Sequence, residues 1–167
     1  MTIEEAKAIC KRFHQPSNPS NEDSIVYTEA LNYLARETEN PDMMVELGSY
    51  YYEQRDFSLA LKYYEMAAEK NNLYAIANLG YIWYYGRTGT KDYEKAFMYF
   101  NRAMQMGDMV AAYKVADMYK KGYYADKNPE RYREIIENLY LQVKNAKYLN
   151  DPVPEVLTRL ARIRVWD

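Results

Sequence analysis

The chain repeats itself. Shifted by 36 residues, Asp56 falls on Asp92, Ala60 on Ala96, Tyr63-Tyr64 on Tyr99-Phe100, and Ala67 on Ala103. The same shift pairs Ala75 with Ala111, Leu79 with Val115 and Gly86 with Gly122, with no residue of drift. Self-similarity at such a period marks a stacked architecture, in which each unit buries a face against the next. A helical hairpin is the natural unit of about that length. Leu47-Gly48 recurs as Leu79-Gly80 after only 32 residues, so the first unit has a loop four residues shorter. Its turn is Gln54-Arg55, where the second unit has Gly86-Arg87-Thr88-Gly89-Thr90-Lys91.

Within each unit the apolar spacing is helical. Ala75, Leu79, Ile82, Trp83 and Gly86 follow one helix face, as do Ala96, Tyr99, Phe100 and Ala103. Asp56 and Asp92 stand where a cap would open the second helix of a hairpin. Gly48, Gly80, Ala60 and Ala96 recur where two antiparallel helices must approach closely. No segment alternates with a period of two between turn signals, so no strand is expected. The expected map is nine helices, at roughly 2–14, 22–38, 41–54, 56–70, 73–86, 92–106, 109–122, 129–148 and 154–165. The fold class is then all-α, a right-handed solenoid of antiparallel hairpins with capping helices at its ends. Residues 1–40 are expected as N-terminal helices forming a degenerate hairpin or cap, 41–148 as the repeats, and 149–167 as a C-terminal capping helix. Val153, Val156, Leu157, Leu160 and Ile163 give that last helix an apolar stripe, with a homodimer contact as its alternative use.

Composition narrows the function classes. Of 167 residues, 49% are apolar and 28% charged, with a net charge of -2. The mean hydropathy of -0.64 is low for that apolar share because 20 residues are Tyr, rings with a hydroxyl at the tip. A pI near 5.6 argues against a dedicated nucleic-acid binder, which needs a basic surface. Cys10 stands alone, so it offers no internal disulfide and no cysteine-based metal site. The start, Met1-Thr2-Ile3-Glu4-Glu5, is acidic where a signal peptide is basic, and no apolar run approaches membrane-spanning length. The expected setting is cytoplasmic.

The pattern Ala75…Leu79-Gly80…Trp83…Gly86, then Asp92…Lys95-Ala96…Tyr99-Phe100…Ala103…Gly107…Ala111, resembles the Sel-one-like repeat (SLR) family, a relative of the tetratricopeptide repeat with a longer loop in each hairpin. Two units match over about 42–108, and half of a third at Ala111, Val115, Tyr119 and Gly122. The chain departs from the family at Gln54, in place of a loop glycine, and at Tyr132 and Leu139, in place of small alanines. The resemblance implies an adaptor or scaffold, and it leaves the partner open.

Motifs for catalysis are weak. Cys10 and His14 are four apart and can share a helix face, but no oxyanion-hole loop or orienting carboxylate lies nearby in sequence. Gly86-Arg87-Thr88-Gly89 has two residues between its glycines, where a phosphate-binding loop needs four and a preceding strand. The carboxylates of Glu4-Glu5, Asp92/Glu94 and Glu130/Glu134 sit at helix starts, where they suit the dipole. We expect no catalytic residue, no metal site and no cofactor.

The tyrosines are left to explain. Taking Leu47, Leu79 and Val115 as core-facing references, positions five and two before each, and two, five and six after it, share another helix face. In tetratricopeptide-like stacks that face lines the concave groove. The candidate groove residues are Tyr52, Glu53, Tyr74, Tyr81, Tyr84, Tyr85, Tyr113, Asp117, Lys120 and Lys121. Tyr81, Tyr84 and Tyr85 are expected to face the groove rather than the core, and Tyr63, Tyr64, Tyr99 and Tyr119 the core. Lys120 and Lys121 would draw an acidic or terminal carboxylate group. The leading function is a non-enzymatic protein- or peptide-binding scaffold. The alternatives are a small inhibitor or regulator that blocks a partner enzyme, and a single-stranded nucleic-acid binder that stacks bases on tyrosine.

Overall fold

The computed structural model describes residues 1–13 and 21–148. They form eight helices: α1 (Ile3–Phe13), α2 (Asn21–Thr38), α3 (Pro41–Glu53), α4 (Phe57–Glu69), α5 (Leu73–Tyr85), α6 (Tyr93–Gln105), α7 (Met109–Lys121) and α8 (Pro129–Tyr148). The described residues include no strand. The ninth expected helix, the apolar stripe of residues 153–163 and His14 lie outside the described residues. The chain divides into two compact units, Met1–Leu79 and Gly80–Asp167, the division falling inside α5.

Helices α3 to α8 each open on a side-chain cap. Asp56 Oδ1 accepts from Leu59 N–H at 3.0 Å, and Asp92 Oδ1 from Lys95 N–H at 3.0 Å. Asn40, Asn72, Asp108 and Asn128 do the same at the heads of α3, α5, α7 and α8. Such caps satisfy backbone donors that a helix start leaves open, typically worth about 1 kcal/mol each. The recurrence of Asp or Asn at these points is what sets the phase of the repeat. α7 ends on Gly122 in the left-handed region (φ 72°), its N–H donating to Met118 C=O. The short first turn, lacking a glycine, places Arg55 in the left-handed region instead (φ 62°).

In the first unit α1 packs on α2, α2 on α3, and α3 on α4. The fully buried side chains are small or aliphatic: Ala6, Ala30, Leu31, Leu47, Ala60, Ala67, Ala75, Ile76 and Leu79. Tyr64 lies across Gly48, and a Cβ built on that glycine would come within 2.6 Å of the ring. Ser49 Oγ and Tyr64 Oη share a hydrogen bond at 3.1 Å, which anchors the ring's far end. In the second unit α6 packs on α7 and α7 on α8. Phe100 covers Gly80 in the same way, again with 2.6 Å to a built Cβ. Phe100, Ala96, Ala103, Val115, Ala116 and Met118 are almost completely buried there, with Ile136 and Leu139 of α8. Of the tyrosines expected in the core, Tyr64 is buried, while Tyr63, Tyr99 and Tyr119 are half-buried.

The ring-over-glycine contact generates a sharp test. Gly80→Leu should destabilise the fold by about 1–3 kcal/mol, the usual cost of overpacking. Gly80→Ala should cost less, and adding Phe100→Leu to it should return part of the loss by opening room for the methyl group. Urea unfolding of the three variants measures this. Equal midpoints for wild type and Gly80→Leu would show that the two helices do not close on that contact.

Candidate functional site

The second unit carries the densest group of polar and aromatic side chains. Tyr81, Tyr84 and Tyr85 stand three and four apart on α5, a spacing that puts their rings on one side of the helix. Tyr81 and Tyr85 are nearly parallel, with centroids 6.2 Å apart. Tyr84 meets Tyr85 edge-on at 5.1 Å and Phe100 at 6.1 Å. Lys114 of α7 brings its ammonium over all three tyrosines, 5.4 Å from the centroid of Tyr81, 5.0 Å from Tyr84 and 5.4 Å from Tyr85. Its Nζ also donates to Tyr85 Oη at 3.2 Å. A cation held against several ring faces is attracted by each ring quadrupole.

Below this group lies an ion pair. Asp117 Oδ2 accepts from Lys121 Nζ at 2.7 Å, an i,i+4 contact on α7, and from Tyr84 Oη at 3.2 Å. The hydrogen bond to Asp117 holds the Lys121 ammonium in its charged form well above the usual lysine range. Burial, chiefly, raises the Tyr84 phenol, and the Asp117 charge adds to it. Tyr81 is pushed up to about 12, first by burial and then by the charge of Asp108.

These positions correct part of the expectation from sequence. Tyr84 does not face an open groove. Only 9% of it is exposed, less than Trp83, and its ring also meets Tyr93 at 5.7 Å and Tyr123 at 6.2 Å. Tyr81 is half-buried with its ring edge-on to Phe100 at 5.0 Å. The helical wheel assigned a direction to each Cα, whereas a tyrosine ring is long enough to bend around the helix into a neighbouring gap. Lys121 is committed to Asp117, so it is not the open cation expected, while Lys120 is exposed with its ammonium over the Tyr132 ring at 5.1 Å. Tyr85, 46% exposed, does face solvent, and Tyr113 is half-buried.

The other three expected residues belong to the first unit. Tyr74 is 71% exposed. Tyr52 packs edge-on against Phe57 at 5.2 Å. Glu53 is exposed on the wall of a cavity of about 460 Å³, shared with Phe13, Tyr27, Glu46 and Tyr50. Sequence reasoning missed Lys114. A signal was present, since the position before each reference apolar residue is polar in all three units: Glu46, Asn78 and Lys114. All three are half-buried, and Glu46 accepts from Tyr27 Oη at 2.8 Å.

Among the described residues no cluster of His, Cys, Asp and Glu is placed to hold a metal, and no helix is long and apolar enough to cross a membrane. Cys10 is half-buried, and burial raises its thiol pKa.

Capped helical hairpins repeated along the chain, two of them closed by a ring over a glycine, define an all-α solenoid of the helical-repeat class. The chain belongs to the Sel1 repeat family, whose model matches residues 28–72, 73–108 and 110–131. Sel1 repeat proteins are generally protein-interaction scaffolds. The fold is also that of two solved structures. One is a Sel1 repeat protein from Oxalobacter formigenes, with a TM-score of 0.66 and 21% identity over 95% of this chain and 69% of that one. The other is c5321, a protective antigen present in uropathogenic Escherichia coli strains displaying an SLR fold, with a TM-score of 0.63 and 17% identity. That match covers 95% of this chain and 35% of c5321. No curated protein sequence matches the chain significantly.

Two outcomes follow from the burial of these rings. Tyr84→Ala should cost about 3 kcal/mol or more in urea unfolding, as large-to-Ala changes in cores do, while Tyr85→Ala should stay within about 1 kcal/mol of wild type. The second outcome concerns alkali. The Tyr63, Tyr64, Tyr81 and Tyr84 phenols are all raised, so the folded chain holds these protons more firmly than the unfolded chain does. Their stabilising effect is complete below the unfolded value of about 10 and is lost as pH climbs toward the folded values. Urea midpoints should therefore fall between pH 10 and 12, and Tyr81→Phe should flatten that fall. An unchanged slope in the variant would remove Tyr81 as a cause.

Proposed function

We propose that this chain is a non-enzymatic interaction module that binds a protein or peptide segment through the second-unit surface of α5 and α7. The observation that carries this reading is the exposed Tyr85 ring set beside a half-buried ammonium. Tyr81, Tyr84 and Lys114 hold that ring from behind, so little rotamer freedom is lost when a partner covers it. Rigid tyrosines of this kind supply large contact area at low entropic cost. Tyr113, Asp117, Lys120 and Lys121 border the same surface on α7 and form its polar margin. The likeness to scaffold proteins of the Sel1 family supports binding over catalysis. A cytoplasmic setting belongs to this reading too, since a single half-buried cysteine asks nothing of an oxidising compartment.

A regulator that covers a partner enzyme would use the same surface, and differs only in the consequence of binding. Nucleic-acid stacking has less to support it, because most of the tyrosine faces here are already packed against other rings.

The test is affinity capture from the native host with wild type and a Tyr85→Ala/Tyr113→Ala double variant. Truncating a true interface anchor costs about 2 kcal/mol, roughly thirtyfold in affinity. The double variant should melt near wild type and lose the captured protein. If it captures the same protein at full strength, the binding surface is elsewhere.

A further inference from the structure

Lys114 is a cation of this surface that no described carboxylate balances and that the tyrosine rings hold in place. Lys70, Lys95, Lys121 and Arg131 each have a carboxylate within 4.0 Å. Lys114 has none among the described residues; its contacts are the three tyrosine rings and Tyr85 Oη. Asp117, one turn along α7, is occupied by Lys121 and Tyr84. The hydroxyl of Tyr85 accepts from Lys114 and donates to no described residue. One half-exposed spot thus presents spare ammonium N–H groups and a phenol O–H. Both groups have hydrogens left to donate, on a chain whose net charge is -2.

Resting on the reading above, we infer that the partner segment is acidic, and that one of its Asp or Glu carboxylates accepts from Lys114 Nζ and Tyr85 Oη together. Two donors side by side match the two oxygens of a carboxylate, and hydrogen bonds to charged groups are the strong ones. The tyrosine cage fixes the ammonium before binding, so the partner does not have to order a flexible lysine. A nucleic-acid strand fits less well, since it needs a row of cations along its backbone. Here Asp108 and Asp117 lie within one or two turns of Lys114 on the same stretch of chain.

The experiment is selection of a displayed random peptide library on the full chain, followed by fluorescence anisotropy of a recovered peptide. The recovered pool should be enriched in Asp and Glu. Lys114→Met should weaken the peptide about tenfold, the scale of one charge-assisted hydrogen bond, and Lys114→Arg should restore most of that. Changing the peptide's critical Asp or Glu to Asn or Gln should cost the same factor in wild type and almost nothing further in Lys114→Met. Circular dichroism checks that each variant folds, and if Lys114→Met does not, the peptide substitution carries the test alone. A pool with no acidic enrichment, or no pool at all, overturns the inference. So does an oligothymidylate that binds more tightly than the peptide. If Tyr85→Ala weakens binding while Lys114→Met does not, the carboxylate contact is wrong and the surface stands. If Tyr85→Ala changes nothing, the surface itself is wrong.

Discussion

An aromatic ring packed against a glycine closes two of the repeated hairpins, and much else in the fold follows from that contact. Tyr64 on Gly48 and Phe100 on Gly80 leave no room for a Cβ. The partner helix must therefore present small residues along the same seam, and Ala60, Ala67, Ala96 and Ala103 do so at full burial. A seam of alanines and glycine brings two helix backbones close, at the cost of little apolar area per residue. The ring supplies the area that the small residues give up. This is why a chain with so few large aliphatic side chains can still build a core.

The same economy explains the many tyrosines. A phenol can bury its ring and keep its hydroxyl bonded, as Tyr64 does to Ser49, Tyr63 to Asn32 and Tyr84 to Asp117. Each of these bonds links two helices through a side chain that also packs. In the second unit the rings continue from Phe100 through Tyr84 to Tyr93 and Tyr123, the last two stacked at 4.3 Å. Tyr84 is thus a core residue with a polar end, and the Asp117–Lys121 pair is the structure that this end requires. Tyr85, one residue on, has its hydroxyl bonded to a lysine rather than to a carboxylate. That difference separates the buried ring from the exposed one on which the proposed binding surface rests.

The repeat was legible in the sequence because it is written in residue types with few substitutes. Glycine under a ring, alanine along a seam and Asp or Asn at a cap each answer a local steric or hydrogen-bonding demand. Together they set helix positions to within a residue or two. The orientation of the tyrosines was not legible in the same way. Tyr81, Tyr84 and Tyr85 occupy consecutive outward positions by helical phase, yet one is buried, one half-buried and one exposed. What decides among them is the space left by Phe100, Tyr93 and Tyr123, which belong to other elements and are not encoded near α5.

Charge was only partly legible for a related reason. Lys120 and Lys121 stand out in sequence as an adjacent pair at a helix end, and such pairs invite a functional reading. In the folded unit the pair divides: Lys121 neutralises Asp117, and Lys120 turns to Tyr132. Lys114, inconspicuous among apolar neighbours, has no carboxylate among the described residues and sits against three tyrosine rings instead. A charge on a helix counts toward binding only after the charges one turn away have been subtracted. On α7 the stripe Lys114, Asp117, Lys121 carries two positive charges and one negative, and the strong i,i+4 pair removes one of each. The surplus falls on the lysine that the tyrosines hold. Position in the stripe, rather than clustering in the sequence, is what singles it out for the proposed contact.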